Sequence, residues 1–282
     1  MSHQTPPLIS IIVAVFNGAK TLQQCIDSVA HQSYPNKELI IIDGGSNDGT
    51  FDLLKANNEQ IKYWISEPDK GIYNAWNKGL IQAKGEWICF LGADDYLLNA
   101  QVLEKMAAAL EQLSAEIHVA YGQVMLLSNE GESLFAVGEP WLTIKDRFKQ
   151  VMCIPHQGVM HRHSLFEQNG KYDESFRIAG DYELLMRELK TGDAMFIPDL
   201  ITTGMRQGGI SSDPVNTLVT IREIRRAQRM HVQRLPGWIW MAATARVYVR
   251  LLLWRLLGEG VTRKLLDIYR RMMGLPSYWT RT

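Results

Sequence analysis

A doubly wound α/β fold with a mostly parallel sheet, followed by a basic helical tail, is what this sequence predicts, and three observations predict it. The first is the alternation of short apolar, β-branched runs with helix-period segments over roughly the first hundred residues. That β-α-β-α-β-α-β order belongs to a parallel sheet covered by helices on both faces. The second is the position of the carboxylates: Asp43 and the pair Asp94-Asp95 each stand at a strand's end, where open α/β sheets bind ligands. The third is a charge split. Residues 222–282 hold thirteen Lys and Arg against Glu223, Glu259 and Asp267, a net +10 that leaves −10 on residues 1–221 of a chain with zero net charge. An acidic body with a basic tail implies a tail that meets something anionic.

Taken in order, Ile9-Ser10-Ile11-Ile12-Val13-Ala14-Val15 is too continuous for a half-exposed strand and suits the middle of a parallel sheet. Asn17-Gly18 ends it, and Ala19 to His31 follows as a helix with Leu22, Ile26 and Val29 on one face. A second strand, Glu38 to Ile42, runs into Asp43-Gly44-Gly45-Ser46-Asn47-Asp48-Gly49-Thr50 and a helix from about Thr50. This loop is neither a G-x-G-x-x-G fingerprint nor a P-loop. Asp48 and Thr50 suit a tight turn that caps a helix. Asp43, at the strand's last position, faces the crevice, where a carboxylate can accept the imide N–H of uracil, a donor that cytosine lacks.

Ile61 to Ile65 is the third strand, Ile72 to Ala83 the next helix, and Trp87 to Leu91 the fourth strand. Asp94-Asp95 follows directly. Burying both without partners would cost several kcal/mol, so they lie in water or hold a cation. Mg²⁺ or Mn²⁺ uses one or two carboxylates and completes its shell with water and substrate phosphates. A solvated turn capping a helix near Ala100 has the same residue requirements.

Further on, Val119 to Leu127 and Leu134 to Val137 form a hairpin joined by Ser128-Asn129-Glu130-Gly131-Glu132. His156, His161 and His163 lack zinc-site spacing. Asp181, after Gly180 and before an apolar-periodic run, has the place of a helix cap. Gly204 to Ser212 is a glycine-hinged loop carrying Arg206, either a closing loop over a diphosphate or plain surface. The tail starts near Pro214, with Arg222, Arg225 and Arg229 on one helical stripe. Trp238 to Leu257 is rich in Trp, Leu and Val but interrupted by Arg246, Arg250 and Arg255. Its longest uncharged run, Leu235 to Ala245, is far short of the ~20 residues a membrane span requires. A helix lying in the headgroup region fits better; the alternative is packing on the body or on a second subunit, as a homodimer.

The composition, with 46% hydrophobic and 21% charged residues over 282 positions, is that of one large globular domain or a domain with an appendage. Cys25, Cys89 and Cys153 are few and scattered, as expected of reduced thiols in a cytoplasmic protein. The polar start, Met1 to Pro7, lacks the basic-then-apolar pattern of a signal peptide, so export is not expected.

Four ordered motifs carry a resemblance: Ile11 to Asn17, Asp43-Gly44-Gly45-Ser46-Asn47-Asp48-Gly49-Thr50, the run Glu67-Pro68-Asp69-Lys70-Gly71-Ile72-Tyr73-Asn74-Ala75-Trp76-Asn77-Lys78-Gly79, and Gly92-Ala93-Asp94-Asp95. Together they resemble family 2 glycosyltransferases of the GT-A fold, especially bacterial O-antigen and capsule enzymes that extend a lipid-linked oligosaccharide. The likeness covers roughly residues 8–212. It implies that Ala14, Phe16, Asn17 and Asp43 surround the nucleotide base, that Asp94 holds the ribose, and that Asp95 holds the metal. The motif departs from the family where many relatives carry a first acid, leaving two carboxylates. Asp69, Lys70, Asn74 and Asn77 fall where the family lines its donor pocket, or form a polar loop and an exposed helix face. His156 is expected at the active-site wall, near acceptor or phosphate, with His161 and His163 at the surface. Inverting transfer needs a base facing the acceptor hydroxyl; Asp181 matches it, with Glu183 as the fallback.

The resulting expectation is a catalytic domain over residues 1–212, with a nucleotide-sugar half at about 8–100 and an acceptor half at 101–212, and a membrane-associating or dimerising tail over 213–282. Its function is inverting transfer of a hexose from a UDP-sugar to a lipid-linked glycan, with Mg²⁺ or Mn²⁺, at the inner face of the cytoplasmic membrane and with no nucleic-acid partner. Since Arg206-Gln207-Gly208-Gly209 does not reproduce the Gln-x-x-Arg-Trp motif of processive synthases, one sugar per encounter is expected. Two other classes compete. A non-catalytic sugar-nucleotide-binding protein would not need Asp181, and a nucleotidyltransferase would show a Gly-rich, Lys/Arg-bearing phosphate loop, which Phe16-Asn17-Gly18-Ala19 is not.

Overall fold

The computed structural model describes residues 6–128, 130–206, 214–232 and 234–281. Strands β1 (Ile9–Val15), β2 (Lys37–Asp43), β3 (Tyr63–Ser66) and β4 (Trp87–Gly92) are parallel, with β1 between β2 and β4. Helices α1 (Leu22–Ala30), α2 (Thr50–Ala56) and α3 (Ile72–Gln82) make the crossovers. Because side chains alternate across a strand, the continuous apolar runs serve two cores at once. Ile40 and Ile42 pack with Tyr73 and Trp76 of α3, while Leu39 and Ile41 pack with Leu22 and Ile26 of α1. Burial on both faces is why these strands read as unbroken β-branched runs.

Beyond β4 the sheet becomes mixed. A two-residue strand β5 (Tyr96–Leu97) precedes α4 (Val102–Leu110), followed by β6 (Val119–Leu127), β7 (Ser133–Val137), α5 (Trp141–Phe148), β8 (Val159–Arg162), α6 (His163–Asn169), α7 (Gly180–Glu188) and β9 (Ala194–Arg206). The spatial order is β3-β2-β1-β4-β8-β6-β9-β5, with β7 on β6 as the hairpin pattern predicts. The sequence predicts a loop over Gly204 to Ser212, but Gly204 to Arg206 are the end of β9; Gln207 to Ser212 lie outside the described residues. Asp94-Asp95 does not cap the helix near Ala100 either. A strand intervenes, and α4 begins behind Gln101.

That short strand matters because its antiparallel pairing of Tyr96 with Gly204 carries the chain from β4 to the far edge of the sheet. The residues flanking this pair, Asp94-Asp95 on one side and Met205-Arg206 on the other, are thereby brought together.

Three helices follow: α8 (Pro214–His231), α9 (Trp238–Leu257) and α10 (Glu259–Met272). The first is not part of a free tail. Ala227 and Gln228 are fully buried, Gln228 Nε2 donates to Gln150 O at 2.5 Å, and the Arg226 guanidinium lies 4.3 Å from the Phe176 ring. Hence the body extends past residue 212, and Arg225 of the expected stripe is engaged within the molecule by Gln228 and the Arg234 carbonyl. The α9–α10 pair differs: α9 buries no residue, and no described helix is long and apolar enough to cross a membrane.

Candidate active site

A cavity opens at the carboxyl ends of β4 and β9, floored by Tyr73, Trp76 and Phe90 and walled by Gly92, Asp94, Asp95, His156, Arg177, Asp181, Met205 and Arg206. Strand geometry sets one side of it. Gly92 ends β4, and a Cβ there would lie 2.7 Å from Asp94 Oδ1 and 3.0 Å from Asp95 Oδ2. Both carboxylates therefore crowd the glycine, and a side chain at this position would have to displace their ends.

Asp95 is not solvated, as expected for a metal ligand, but only 4% exposed, accepting the Gly92 N–H at 3.2 Å. Burial, and then the neighbouring Asp94 charge, push its carboxyl well above the usual range, opposed by Gly92 and Arg206. Two adjacent acids at a cavity wall make a site that favours a cation, and two carboxylates are what Mg²⁺ takes when substrate phosphate supplies further oxygens. The donor set thus fits a divalent ion that arrives with its substrate. Among the described residues no cluster of three or more acid, His or Cys ligands exists to hold one without it. Arg206 Nη2 donates to Gln24 Oε1 at 2.7 Å, which aims a cation at the same wall.

The other side is built around α7. Asp181 lies in its first turn but does not cap it; the N-cap position is Ala179, and Asp181 Oδ1 accepts the Tyr182 N–H at 2.8 Å and the Tyr73 hydroxyl at 3.4 Å. Burial raises its carboxyl to about 6 against those hydrogen bonds, which suits a general base near neutral pH. Two residues that sequence reading missed hold this turn in place. Tyr73 OH donates to Ile178 O at 2.5 Å and accepts the Gly180 N–H at 2.8 Å, while Glu223 of α8 accepts the N–H groups of Arg177, Ile178 and Ala179, each at 2.8 Å. Gly180 is required beneath Tyr73, since a Cβ would fall 2.7 Å from its ring. The only sequence signal for Glu223 was an acid among arginines. Glu223→Ala leaves three N–H groups without their charged acceptor; at roughly 1.5–3 kcal/mol per such bond, moderated by water, a loss of about 3 kcal/mol is expected. Chemical denaturation checks it, and an unchanged midpoint would refute the clamp.

The remaining expected site residues divide into three groups. Ala14, Phe16, Asn17 and Asp43 do gather at the ends of β1 and β2: Phe16 is 67% exposed beside Gly44, and Asn17, with φ of 53°, donates its N–H to Ser46 Oγ at 2.7 Å and accepts Asn47 N–H at 3.0 Å. Asp43 is fully buried, accepting Ser46 N–H and hydroxyl and the Ser66 hydroxyl. It thereby pins the Gly-rich loop.

Asp69 also stays near Gly44, with Oδ1 accepting the Gly71 N–H at 2.7 Å, and Lys70 is exposed. Neither an exposed face nor a cavity wall describes Asn77. It is 7% exposed and clamps α3 to the following layer through Tyr172 O, Tyr172 N–H and Glu174, and Asn74 binds the same Glu174 at 2.8 Å. The cavity takes Ile72, Tyr73 and Trp76 from this helix instead.

Among the histidines, His156 does reach the wall. It stacks 5.2 Å from Trp76 and shares a 3.0 Å hydrogen bond with Tyr172 OH, and burial together with His161 holds its ring well below the usual range. It offers an uncharged contact, not a phosphate-binding cation. His161, expected at the surface, is fully buried in β8, 3.6 Å from Glu188; burial lowers the imidazole to about 3 and raises the carboxyl. Its alternating strand position, not its polarity, decides its place. Glu183, the fallback base, is also buried away from the cavity, bound by Arg187 at 2.9 Å and His231 at 2.7 Å.

A curled α/β sheet with paired acids and an arginine at one wall of the crevice, and a raised carboxyl at the other, makes an enzyme-like site. Residues 10–165 match the model of glycosyl transferase family 2, and the chain belongs to that family. It is 34% identical over 184 residues to a PGL/p-HBAD biosynthesis glycosyltransferase of Mycobacterium tuberculosis, covering 64% of this chain and 69% of that one. In fold it is similar to Staphylococcus aureus TarS, with a TM-score of 0.62 at 20% identity over 80% of this chain, although it spans only 40% of that protein's length. The TarS 1–349 fragment, solved with UDP-GlcNAc, gives 0.63 at 18% identity over 80% of this chain and 68% of the fragment. The mannosyltransferase PcManGT of Pyrobaculum calidifontis, solved with GDP-Man and Mn²⁺, gives 0.62 at 16% identity, covering 93% of this chain and 75% of that one. The GT-A-like fold expected from the motifs is the fold observed.

Proposed function

We propose that the protein transfers a hexose from a UDP-sugar to a lipid-linked glycan acceptor in surface-polysaccharide biosynthesis, with inversion at the anomeric carbon. The observation that carries this reading is the opposition of two different chemistries in one cavity: Asp94, Asp95 and Arg206 at one wall, and Asp181, raised to about 6, at another. A departing diphosphate needs cationic stabilisation, and an attacking hydroxyl needs a base. Arg206 supplies a positive charge toward the diphosphate, and Asp181 takes the acceptor proton. Asp95, with Asp94 at the ribose, would hold Mg²⁺ or Mn²⁺, which supplies further charge stabilisation of the leaving group. The UDP complex of the TarS fragment supports a uridine donor, with the exposed Phe16 and Asn17 at the base and the buried Asp43 holding the loop beside them through Ser46 and Ser66.

A screen of UDP-sugars, with GDP-mannose beside them, tests the donor: metal-dependent release of UDP from one UDP-sugar is expected. NMR of the product should show a β-linkage from an α-linked donor. Retained configuration, or preference for GDP-mannose, would overturn the corresponding part.

We further propose that α9 and α10 hold the enzyme at the anionic inner face of the cytoplasmic membrane. They expose Trp238 (71%), Leu252, Leu256, Leu265, Ile268 and Met272 (81%) beside the exposed cations Arg246, Arg255, Lys264 and Arg271, the composition of an interfacial helix. Each cation near an anionic surface contributes about 1 kcal/mol. The whole chain is expected to bind phosphatidylserine-containing vesicles at low salt and to be only partly released at high salt. A chain ending at Pro236 keeps α8, and with it the clamp on Asp181; it is expected to stay in solution while still hydrolysing donor. If the full chain ignores vesicles and forms a dimer that this truncation dissolves, the surface is a subunit interface instead.

A further inference from the structure

One wall of the cavity comes from the far end of the chain. Tyr278 lines it together with Asp181, Leu126 and Met205, although it lies beyond α10 in the tail for which the sequence predicts membrane association or dimerisation. The segment is held in place. Asp267, 2% exposed in α10, accepts the N–H groups of Tyr278 at 2.8 Å, Trp279 at 2.9 Å and Thr280 at 2.8 Å, and the Thr280 hydroxyl at 2.6 Å. Burial alone would raise this carboxyl, but the four hydrogen bonds hold it below the usual range. Arg270 lies 5.3 Å from the Tyr278 ring and 5.6 Å from Phe135 of β7, and donates from Nε to Pro276 O at 2.8 Å. Arg250 of α9 lies 4.9 Å from the Trp279 ring.

We propose that this C-terminal segment is the acceptor-side wall and that Tyr278 is a specificity-determining residue, whose ring receives the apolar face of the acceptor's terminal sugar. Three observations favour the acceptor over the donor. The segment arrives over β7, away from the Phe16 and Asp43 loops that the uridine reading assigns to the base. It shares the cavity with Asp181, whose proposed partner is the acceptor hydroxyl. Beside it, Leu126 and Met205 make an apolar patch suited to ring C–H groups, not phosphate. The same helices carry the exposed apolar surface, so membrane docking and the acceptor wall belong to one unit. This inference rests on the glycosyltransfer reading.

The test uses the whole chain, the UDP-sugar that the screen identifies, and a panel of decyl β-glycosides (gluco, galacto, manno and N-acetylglucosamino) as acceptor probes. Transfer to glycoside and hydrolysis by water are measured together. For Tyr278→Ala, the ratio of transfer to hydrolysis is expected to fall about fivefold, the size of one lost ring contact, with flattened selectivity across the panel and unchanged donor KM. Tyr278→Phe is expected to restore both. Asp267→Ala, which does not line the cavity but releases the Tyr278 backbone, is expected to act in the same direction. Unchanged ratio and selectivity, equal losses in hydrolysis and transfer, or a wild type that uses no panel member overturns the acceptor wall. A wild type that hydrolyses no UDP-sugar overturns the glycosyltransfer reading beneath it.

Discussion

Asp181→Asn is expected to reduce transfer by ~10²–10⁴ while leaving UDP-sugar binding in place, because the amide keeps the shape of the carboxylate but cannot accept the acceptor's proton. Its Oδ1 can still receive the Tyr182 N–H and the Tyr73 hydroxyl. In the wild type, with the carboxyl raised to about 6, transfer should fall roughly tenfold per unit as pH drops below ~6 and level off above it. Stability should respond in the opposite sense. A carboxyl raised from 3.8 to about 6 by folding favours the native state in its protonated form, so its contribution declines as pH rises between those values and stays lost above ~6. At about 1.4 kcal/mol per unit, Asn at this position should stabilise the protein at neutral pH by up to about 3 kcal/mol. Steady-state kinetics, calorimetric UDP binding and thermal melts across pH test this set. If the variant transfers at the wild-type rate, another group is the base.

Removal of the divalent ion is the other large effect. EDTA is expected to abolish turnover and added Mn²⁺ or Mg²⁺ to restore it, and Asp95→Asn should lower turnover by ~10²–10³, the several kcal/mol that a Lewis acid contributes at a leaving group. The substitution should not unfold the chain: an amide oxygen still accepts the Gly92 N–H, and a buried charge beside Asp94 is removed. Circular dichroism and melts of the variant make that distinction. Full activity in EDTA, or in Asp95→Asn with the ion present, would show that Arg206 neutralises the diphosphate without a metal.

Asp181 sits on a turn whose backbone is held by Tyr73 of α3 on one side and Glu223 of α8 on the other. An engineered truncation near residue 212 would remove α8, and so remove the Glu223 clamp with the tail. Loss of activity in such a truncation therefore says nothing about membranes.

Sequence by itself determined the parallel half of the sheet, since unbroken runs such as Ile9–Val15 have no stable place except between two apolar layers. It also determined that Asp43 and Asp94-Asp95 end strands and that Asp181 opens a helix, because Gly and Pro punctuation and periodicity are local signals. What it did not determine depends on contacts between distant residues. Nothing local says that Tyr96 pairs with Gly204 and so brings Arg206 to the paired acids, that Asn77 is spent on Tyr172 and Glu174, or that Glu223 and Tyr278, both in the basic tail, reach the Asp181 turn and the cavity. Burial decided the rest: the same polar residue types are exposed or enclosed according to which layer covers them, and that enclosure, absent from any short stretch of chain, is what raises Asp181 toward neutrality and makes His161 a core residue.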